Sequence, residues 1–160
     1  MLGLCGGYQM LGTTVRDPGG IEGAPGAAPG LGLLEVETEL SGEKTLIETD
    51  GVEAASGAAV RGYEMHMGRT AGPGTARPML RLGRRDDRAV SADGRVMGCY
   101  LHGLFAADGF RHVFLARIKN RAASGLAFEA EVDGVLDRLA AHLEAHLDLD
   151  RLLAAARRGG

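Results

Sequence analysis

The chain has 160 residues, the length of a single domain, and 45% of them are apolar, which is enough for a packed core. A formal net charge of -3 without a large basic face argues against a nucleic-acid partner, and no run of about 18 apolar residues predicts a membrane helix. Two cysteines, Cys5 and Cys99, are too few for a disulfide framework and form no paired zinc motif. We therefore expect free thiols and a cytoplasmic location.

The first half of the chain is predicted to contain one helix and several strands. Apolar and glycine residues at positions 2–4 run into Cys5, helical character is predicted over residues 8–15, and a loop rich in Gly, Pro and Ala over residues 17–32. Strand-like runs follow at residues 33–40, 45–49, 60–67 and 79–82.

The second half is predicted to end in helices. Residues 92–94 predict a hairpin turn, because Asp-Gly tolerates a positive φ, and residues 96–101 form the returning strand. A helix is predicted from Asp108 to about Arg121. Apolar residues at helical spacing predict a C-terminal helical segment at about 132–157, in which Asp148 caps the last helix.

The segment around Cys5 is the most informative. Over residues 3–9 it reads Gly-Leu-Cys-Gly-Gly-Tyr-Gln, so a short apolar strand meets a nucleophile flanked by glycines and a helix follows. This is the pattern of a nucleophile elbow, whose tight turn requires neighbours without bulk; Gly3, Gly6 and Gly7 supply them. The helix start favours thiolate over thiol, and the N–H of Gly6 can face a developing oxyanion. A buried cysteine in a glycine-rich turn is the alternative.

The chain resembles the class I glutamine amidotransferases, since Gly3, Cys5, Gly7 and Gln9 match their Gly-x-Cys-x-Gly-x-Gln elbow. It looks most like the cobyric acid synthase branch, which amidates corrinoid side chains in cobalamin biosynthesis. Residues 62–70 and 98–105 carry the same resemblance in the same order. It implies an α/β fold, a partial doubly wound, flavodoxin-like sheet with helices that lacks its N-terminal strands, and it assigns Gln9 to the glutamine pocket.

A cysteine nucleophile needs a base nearby in space, and His102 is the candidate. It ends a predicted strand, so its ring would lie at the carboxyl edge of the sheet, where active sites of open α/β folds collect. The resemblance implies the same role. Many relatives have Glu two residues after this histidine, completing a triad, but this chain has Leu104 there, and the resembled branch keeps only the cysteine and the histidine. We predict a Cys5–His102 dyad whose orienting group the sequence does not identify.

Glu64 and His66 form a second cluster, two residues apart in a predicted strand and therefore on one face. The motif favours a pocket that supports glutamine or the acceptor interface, and a polar strand face is an equal alternative. Cys99 has no elbow around it and is predicted to be a small core residue. No metal site is predicted; His142 and His146 fit a solvated helix face better.

Only four residues precede Cys5, fewer than the about five of a typical strand. The resemblance implies upstream strand–helix units, one of which completes the oxyanion hole, and an N-terminal synthetase domain that binds ATP and Mg. We therefore expect residues 1–160 to be a glutamine amidotransferase domain that is incomplete at its N-terminus and, alone, weakly active or inactive.

The predicted function is the glutaminase half-reaction, which supplies ammonia for ATP-dependent amidation of corrinoid carboxylates. The expected partners are glutamine, the synthetase domain and its corrinoid acceptor, and the chain itself is expected to need no cofactor. Three alternatives stay open. These are a related amidotransferase (cobyrinic acid diamide synthase or the amidase acting on cell-wall lipid precursors), a hydrolase that channels no ammonia, and a non-catalytic fragment.

Overall fold

The computed structural model describes residues 1–83, 85–87, 89–119 and 125–158. The chain divides into two compact units, Met1–Ser124 and Gly125–Gly160. The described strands are β1 (Leu2–Leu4), β2 (Thr14–Asp17), β3 (Gly26–Pro29), β4 (Glu37–Glu53), β5 (Ala59–Ala71), β6 (Leu80–Leu82), β7 (Arg85–Asp87), β8 (Ala89–Val90), β9 (Met97–Cys99) and β10 (Leu101–His102). The described α-helices are α1 (Gly6–Leu11), α2 (Asp108–Lys119), α3 (Phe128–His146) and α4 (Leu149–Ala156).

The first unit contains a three-stranded sheet in the order β1-β9-β8. Strands β1 and β9 run parallel, with Gly3 opposite Gly98. Strand β8 runs antiparallel to β9 through a turn in which Gly94 has a φ of 71°, as the Asp-Gly pair predicts. A Cβ atom on Gly3 would lie 2.6 Å from the carbonyl oxygen of Gly7, whereas one on Gly7 would meet nothing within 4 Å. Close packing of α1 on β1 therefore requires glycine at Gly3; the expectation that Gly6 and Gly7 relieve crowding is wrong.

The second sheet is mostly antiparallel and has the order β10-β5-β4-β2-β3, with β6 on β4 and β7 on β6. Strands β4 and β5 form its longest ladder, which is irregular between Glu39 and Lys44. Strand β2 runs parallel to β4. Helices together with mixed sheets confirm the predicted α/β class.

Residues 17–32 are not all loop, as predicted, because they contain β3, which pairs antiparallel with β2 from Thr14↔Pro29 to Asp17↔Gly26. The strand reads Gly-Ala-Ala-Pro and has no apolar alternation, so its sequence gives no strand signal. The extended conformation of β3 is instead stabilised by its pairing with β2.

Two other boundaries differ from the prediction. The runs predicted at 33–40 and 45–49 belong largely to the single strand β4, because a local irregularity interrupts the pattern without ending the pairing. The helix predicted over residues 8–15 ends at Leu11, since Thr14 already pairs in β2. The helix predicted from Asp108 is α2, and its predicted end at Arg121 lies outside the described residues.

Two apolar clusters form the core of the first unit. One consists of Val60, Met79, Leu80, Leu82, Cys99, Leu101, Leu104 and Phe110. The other consists of Tyr8, Leu11, Leu34, Val36, Ala89 and Tyr100. Cys99 is fully buried, which confirms its prediction as a core residue.

An ion pair ties the long strand β4 to helix α2. The guanidinium of Arg117 donates two hydrogen bonds to the Glu53 carboxylate, at 2.6 and 2.8 Å, and the Glu53 side chain is 4% exposed. Burial raises the pKa of Glu53, but hydrogen bonds from Arg117 and Ser56 and the charge of Arg117 outweigh it, so the pKa lies below its ordinary value. A charged, hydrogen-bonded pair therefore joins the two elements.

The second unit is helical, as the spacing of its apolar residues predicts. Helix α3 begins at Phe128, a little before the predicted start, and α4 ends at Ala156. The carboxylate of Asp148 accepts a hydrogen bond of 2.9 Å from the N–H of Arg151, which confirms the predicted cap. Across the described residues, no helix combines the length and the apolar content needed to cross a bilayer.

Candidate active site

Cys5 occupies the turn between β1 and α1 in an unusual backbone conformation, with φ 53° and ψ -120°. Among the described residues, no other non-glycine residue has a positive φ. Such values cost a side-chain-bearing residue of order 1–3 kcal/mol and persist only where the surroundings fix them. The N–H of Cys5 donates to the Cys99 carbonyl at 2.9 Å, and its own carbonyl accepts from Tyr8 at 2.9 Å. The backbone of Cys5 is therefore that of a strained strand–helix elbow.

His102 lies at the same end of the parallel strands. Strand β1 ends one residue before Cys5, and β9, its parallel neighbour, ends three residues before His102. The chain crosses from β9 into β10 at Tyr100, so His102 lies in the second sheet, opposite Tyr63 of β5. A Cβ atom on Gly62 would come 1.8 Å from the carbonyl oxygen of His102. Glycine at position 62 therefore allows β10 to approach β5.

The thiol of Cys5 and the imidazole of His102 contact the same backbone atom. The Cys5 thiol donates to the Met65 carbonyl with an Sγ–O distance of 3.4 Å, and Nε2 of His102 lies 3.3 Å from that oxygen. With the ring proton on Nε2 this contact is a hydrogen bond to the carbonyl, and with the proton on Nδ1 the Nε2 atom is a free acceptor beside the thiol. The sulfur and the ring nitrogen are therefore no further apart than these two distances together. The structure brings the two predicted residues to one point.

A cavity of about 220 Å³ opens beside the thiol. Pockets for drug-sized ligands measure about 300–1,000 Å³, so this one suits a smaller molecule. Its lining consists of Cys5, Gly6, Gln9, Glu22, Leu40, Lys44, Met65, His66 and Met67.

Four of the six predicted site residues therefore line this cavity: Cys5, Gly6, Gln9 and His66. The amide Nε2 of Gln9 donates to the Met67 carbonyl at 3.4 Å. Glu64 does not line the cavity and is fully buried. Its role in binding remains a prediction.

His66 is supported from behind by a buried aromatic group. Its ring stacks on Tyr100 with centroids 3.9 Å apart and planes 16° apart, and the edge of Tyr8 packs against the same tyrosine. The Tyr100 hydroxyl lies 2.6 Å from Oγ1 of Thr70, which lies 2.6 Å from Oγ1 of Thr38. These contacts fix the wall of the cavity that His66 forms.

Two charged residues of the cavity wall, Glu22 and Lys44, carry no sequence motif. Lys44 lies opposite Met67 in the β4–β5 ladder. The N–H groups of Ile21 and Glu22 donate to the carboxylate of Asp17 at 2.8 and 2.9 Å, and these bonds hold the pKa of Asp17 below its usual value. The turn that carries Glu22 is thus anchored, although its sequence predicts only a loop.

A larger groove lies elsewhere on the first unit. It measures about 760 Å³, and its lining includes Thr13, Arg16, Glu37 and Arg69 but none of the predicted site residues. Within the described part of the chain, no three His, Cys, Asp or Glu side chains are grouped so as to hold a metal ion. The small cavity at Cys5 is therefore the candidate active site.

Known proteins resemble the chain over the region of this cavity. Residues 1–110 match the model of the CobB/CobQ-like glutamine amidotransferase domain. Similar curated proteins include the cobyric acid synthases of Methylocella silvestris, 58% identical over 158 residues, Cereibacter sphaeroides, 55% over 157, and Paracoccus denitrificans, 56% over 157. Each alignment covers 98% of this chain and 32% of the relative. The chain spans about a third of the length of the curated relatives that it matches.

The matched residues, 1–110, include Cys5, the residues that line its cavity and His102. They also cover well over half of the chain. This chain belongs to the family of CobB/CobQ-like glutamine amidotransferase domains.

Proposed function

We propose that the cavity at Cys5 hydrolyses glutamine, with Cys5 as nucleophile and His102 as the residue that transfers protons. The observation that carries the proposal is the meeting of the Cys5 thiol and His102 Nε2 at the Met65 carbonyl, beside an elbow held at φ 53°. Strain at a residue that bears a thiol, next to an imidazole, is a combination expected of a nucleophilic site.

The proposed chemistry begins with transfer of the Cys5 proton to Nε2 of His102, in the tautomer that carries its ring proton on Nδ1, which gives thiolate and imidazolium. The thiolate attacks the side-chain amide carbon of glutamine, and the N–H of Gly6, in the first turn of α1, faces the resulting oxyanion. Nε2 of His102 then donates its proton to the amide nitrogen, and ammonia leaves a thioester on Cys5. Nε2 of His102 takes a proton from water, whose oxygen attacks the thioester, and as glutamate departs the imidazolium returns that proton to the Cys5 thiolate.

The charged wall of the cavity fits the other end of glutamine. A free amino acid carries an α-carboxylate and an α-ammonium, and Lys44 and Glu22 offer one charge of each sign beside Cys5. We assign Lys44 to the carboxylate and Glu22 to the ammonium. Gln9 and His66 lie in the same wall, Gln9 as a neutral donor and acceptor, and we assign buried Glu64 to the support of that wall.

The use of the ammonia is a second part of the proposal, and it rests on the relatives called cobyric acid synthase. In such a protein we infer that ammonia from this site meets a corrinoid carboxylate, activated by ATP and Mg²⁺ in a synthetase domain formed by other residues. A cytoplasmic, reducing setting would keep the Cys5 thiol free.

Labelling with 6-diazo-5-oxo-L-norleucine, a glutamine analogue that alkylates active-site thiols, tests the glutaminase proposal. We expect modification of Cys5 and not of Cys99, protection by glutamine, and loss of both labelling and glutamate release in Cys5→Ser. Cys99→Ala, which removes the buried thiol, serves as the control and should keep both. Labelling of Cys99, or glutamate release that survives Cys5→Ser, would contradict the proposal.

A further inference from the structure

In many class I amidotransferases a Glu two residues after the histidine orients its imidazole, and this chain has Leu104 at that position. The corresponding position, Leu104, is 1% exposed and packs in the apolar cluster that contains Leu101 and Phe110. A leucine side chain in that core offers no hydrogen-bond acceptor to His102, whose Nε2 lies 3.3 Å from the Met65 carbonyl instead. Another group must therefore fix the ring.

Tyr63 lies directly against the imidazole. It is the partner of His102 in the antiparallel ladder between β5 and β10. The two rings are stacked, with centroids 5.1 Å apart and planes only 9° apart, the offset geometry that aromatic pairs prefer. Gly62, the preceding residue, allows the backbone of His102 to approach closely.

We propose that Tyr63 is the positioning residue for His102, and that it holds the imidazole by its face where related enzymes hold it by an edge. Three restraints then fix the ring. Strand pairing with Tyr63 sets the Cα position, stacking sets the ring plane, and the Met65 carbonyl at 3.3 Å sets the position of Nε2 within that plane. The inference rests on the proposed function, because it takes His102 as the residue that transfers protons.

The aromatic face also suits the charge that the reaction creates. Taking the thiol proton makes His102 an imidazolium, and the negative face of a neighbouring aromatic ring attracts a cation. Phenylalanine would keep this face and the stacking, whereas leucine would keep apolar bulk and lose both. The tyrosine hydroxyl is not required, which distinguishes stacking from hydrogen bonding.

The test compares Tyr63→Phe with Tyr63→Leu in the protein that carries this chain. Because Tyr63 is 43% exposed, neither change opens a core cavity, and both variants should fold. Misplacement of a catalytic group by about 1 Å costs up to roughly a hundredfold in rate, so Tyr63→Leu should lower kcat about ten- to a hundredfold with KM nearly unchanged. Alkylation of Cys5 by iodoacetamide should slow in the same variant. Tyr63→Phe should stay close to the wild type in both measurements.

A matched control is Ile47→Ala, which trims another exposed apolar side chain, on the neighbouring strand β4. It should leave kcat, KM and alkylation unchanged. Equal rates in the Phe and Leu variants would overturn the inference. A higher KM with unchanged kcat in Tyr63→Leu would overturn it as well. NMR adds a direct measurement: the His102 ring protons should show an upfield ring-current shift that Tyr63→Phe keeps and Tyr63→Leu loses. Absence of that shift in the wild type would also refute the stack.

The experiments distinguish failure of the glutaminase proposal from failure of the proposed role of Tyr63. If the wild type releases no glutamate and Cys5 is not labelled by the diazoketone, the proposed function is wrong. The iodoacetamide and NMR comparisons still decide whether Tyr63 positions His102, since neither requires glutamine.

Discussion

At Cys5 the chain keeps a backbone conformation that glycine would adopt without strain. The positive φ of 53° presents the thiol to the cavity, and the bonds to Cys99 and Tyr8 oppose its relaxation. The proposed reaction requires a thiol at position 5, whereas the stability of the fold would be higher with glycine there.

Replacing Cys5 by glycine should stabilise the fold, because glycine accepts a positive φ without steric cost. Cys5→Ala, which keeps a Cβ and the strain but lacks the thiol, is the matched comparison. We expect the free energy of unfolding, measured in urea, to be about 1 kcal/mol higher for Cys5→Gly than for Cys5→Ala. Both variants should lose glutamate release. Equal stability of the two would show that the elbow stores no strain.

Lys44 offers a second test among single residues. If it binds the α-carboxylate of glutamine, Lys44→Met should raise KM about tenfold or more, as expected for loss of a hydrogen bond to a charged group, and change kcat little. Glutaminamide, which lacks the carboxylate charge, should be used equally poorly by the wild type and the variant. Lys119→Met, an exposed change in α2, is the control. A normal KM in Lys44→Met would remove Lys44 from the substrate site.

Among the elements, β4 and α2 are joined by the ion pair between buried Glu53 and Arg117. Above the ordinary pKa of 4.5, ionised Glu53 stabilises the fold, since its pKa is lower in the folded protein than in the unfolded chain. That contribution is lost as the pH falls through the folded-state pKa. Acid should therefore weaken the β4–α2 connection.

Glu53→Gln should lower the free energy of unfolding at pH 7 by about 3 kcal/mol or less, since breaking a buried pair costs about 3–5 kcal/mol and Arg117 is partly exposed. The difference from the wild type should shrink as the pH falls below about 4.5, where the wild type loses the same contribution. Urea unfolding at several pH values measures it. Asp50→Asn, at an exposed ion pair with Arg61, should change little at any pH. A difference that grows in acid would contradict this account.

Local features were predictable from sequence, whereas features set by strand register were not. The elbow at Cys5 depends on adjacent residues, and the cap at Asp148 on the three that follow it, so both could be predicted. The Met65 carbonyl offers no side-chain signal, and the stack of Tyr63 on His102 requires the register of β5 with β10. Lys44 reaches the cavity through the irregular part of β4. Long-range pairing decides these contacts, and a linear pattern does not specify it.

At the scale of the whole molecule, the curated relatives are about three times the length of this chain, and in our proposal this site supplies ammonia to a reaction carried out by other residues of such a protein. His102 serves only the release of ammonia in our proposal. In a protein that also amidates, His102→Ala should therefore abolish amidation with glutamine, yet leave amidation with added ammonium unchanged.

Product formation from each nitrogen source, in the wild type and in His102→Ala, measures this separation. His112→Ala, a histidine of α2 outside the cavity, is the control and should retain both activities. Loss of both activities in His102→Ala would assign that histidine a structural role.

The passage of the chain between its two sheets at Tyr100 also has a mechanical consequence. Cys5 is held by the three-stranded sheet, whereas His102 and Met65 belong to the sheet that contains β5 and β10. If one sheet slid relative to the other, the Cys5 sulfur would move away from the His102 imidazole while the hydrogen bonds between paired strands stayed intact. Reactivity of the thiol would then report sub-ångström slippage that spectroscopic measures of secondary structure do not detect.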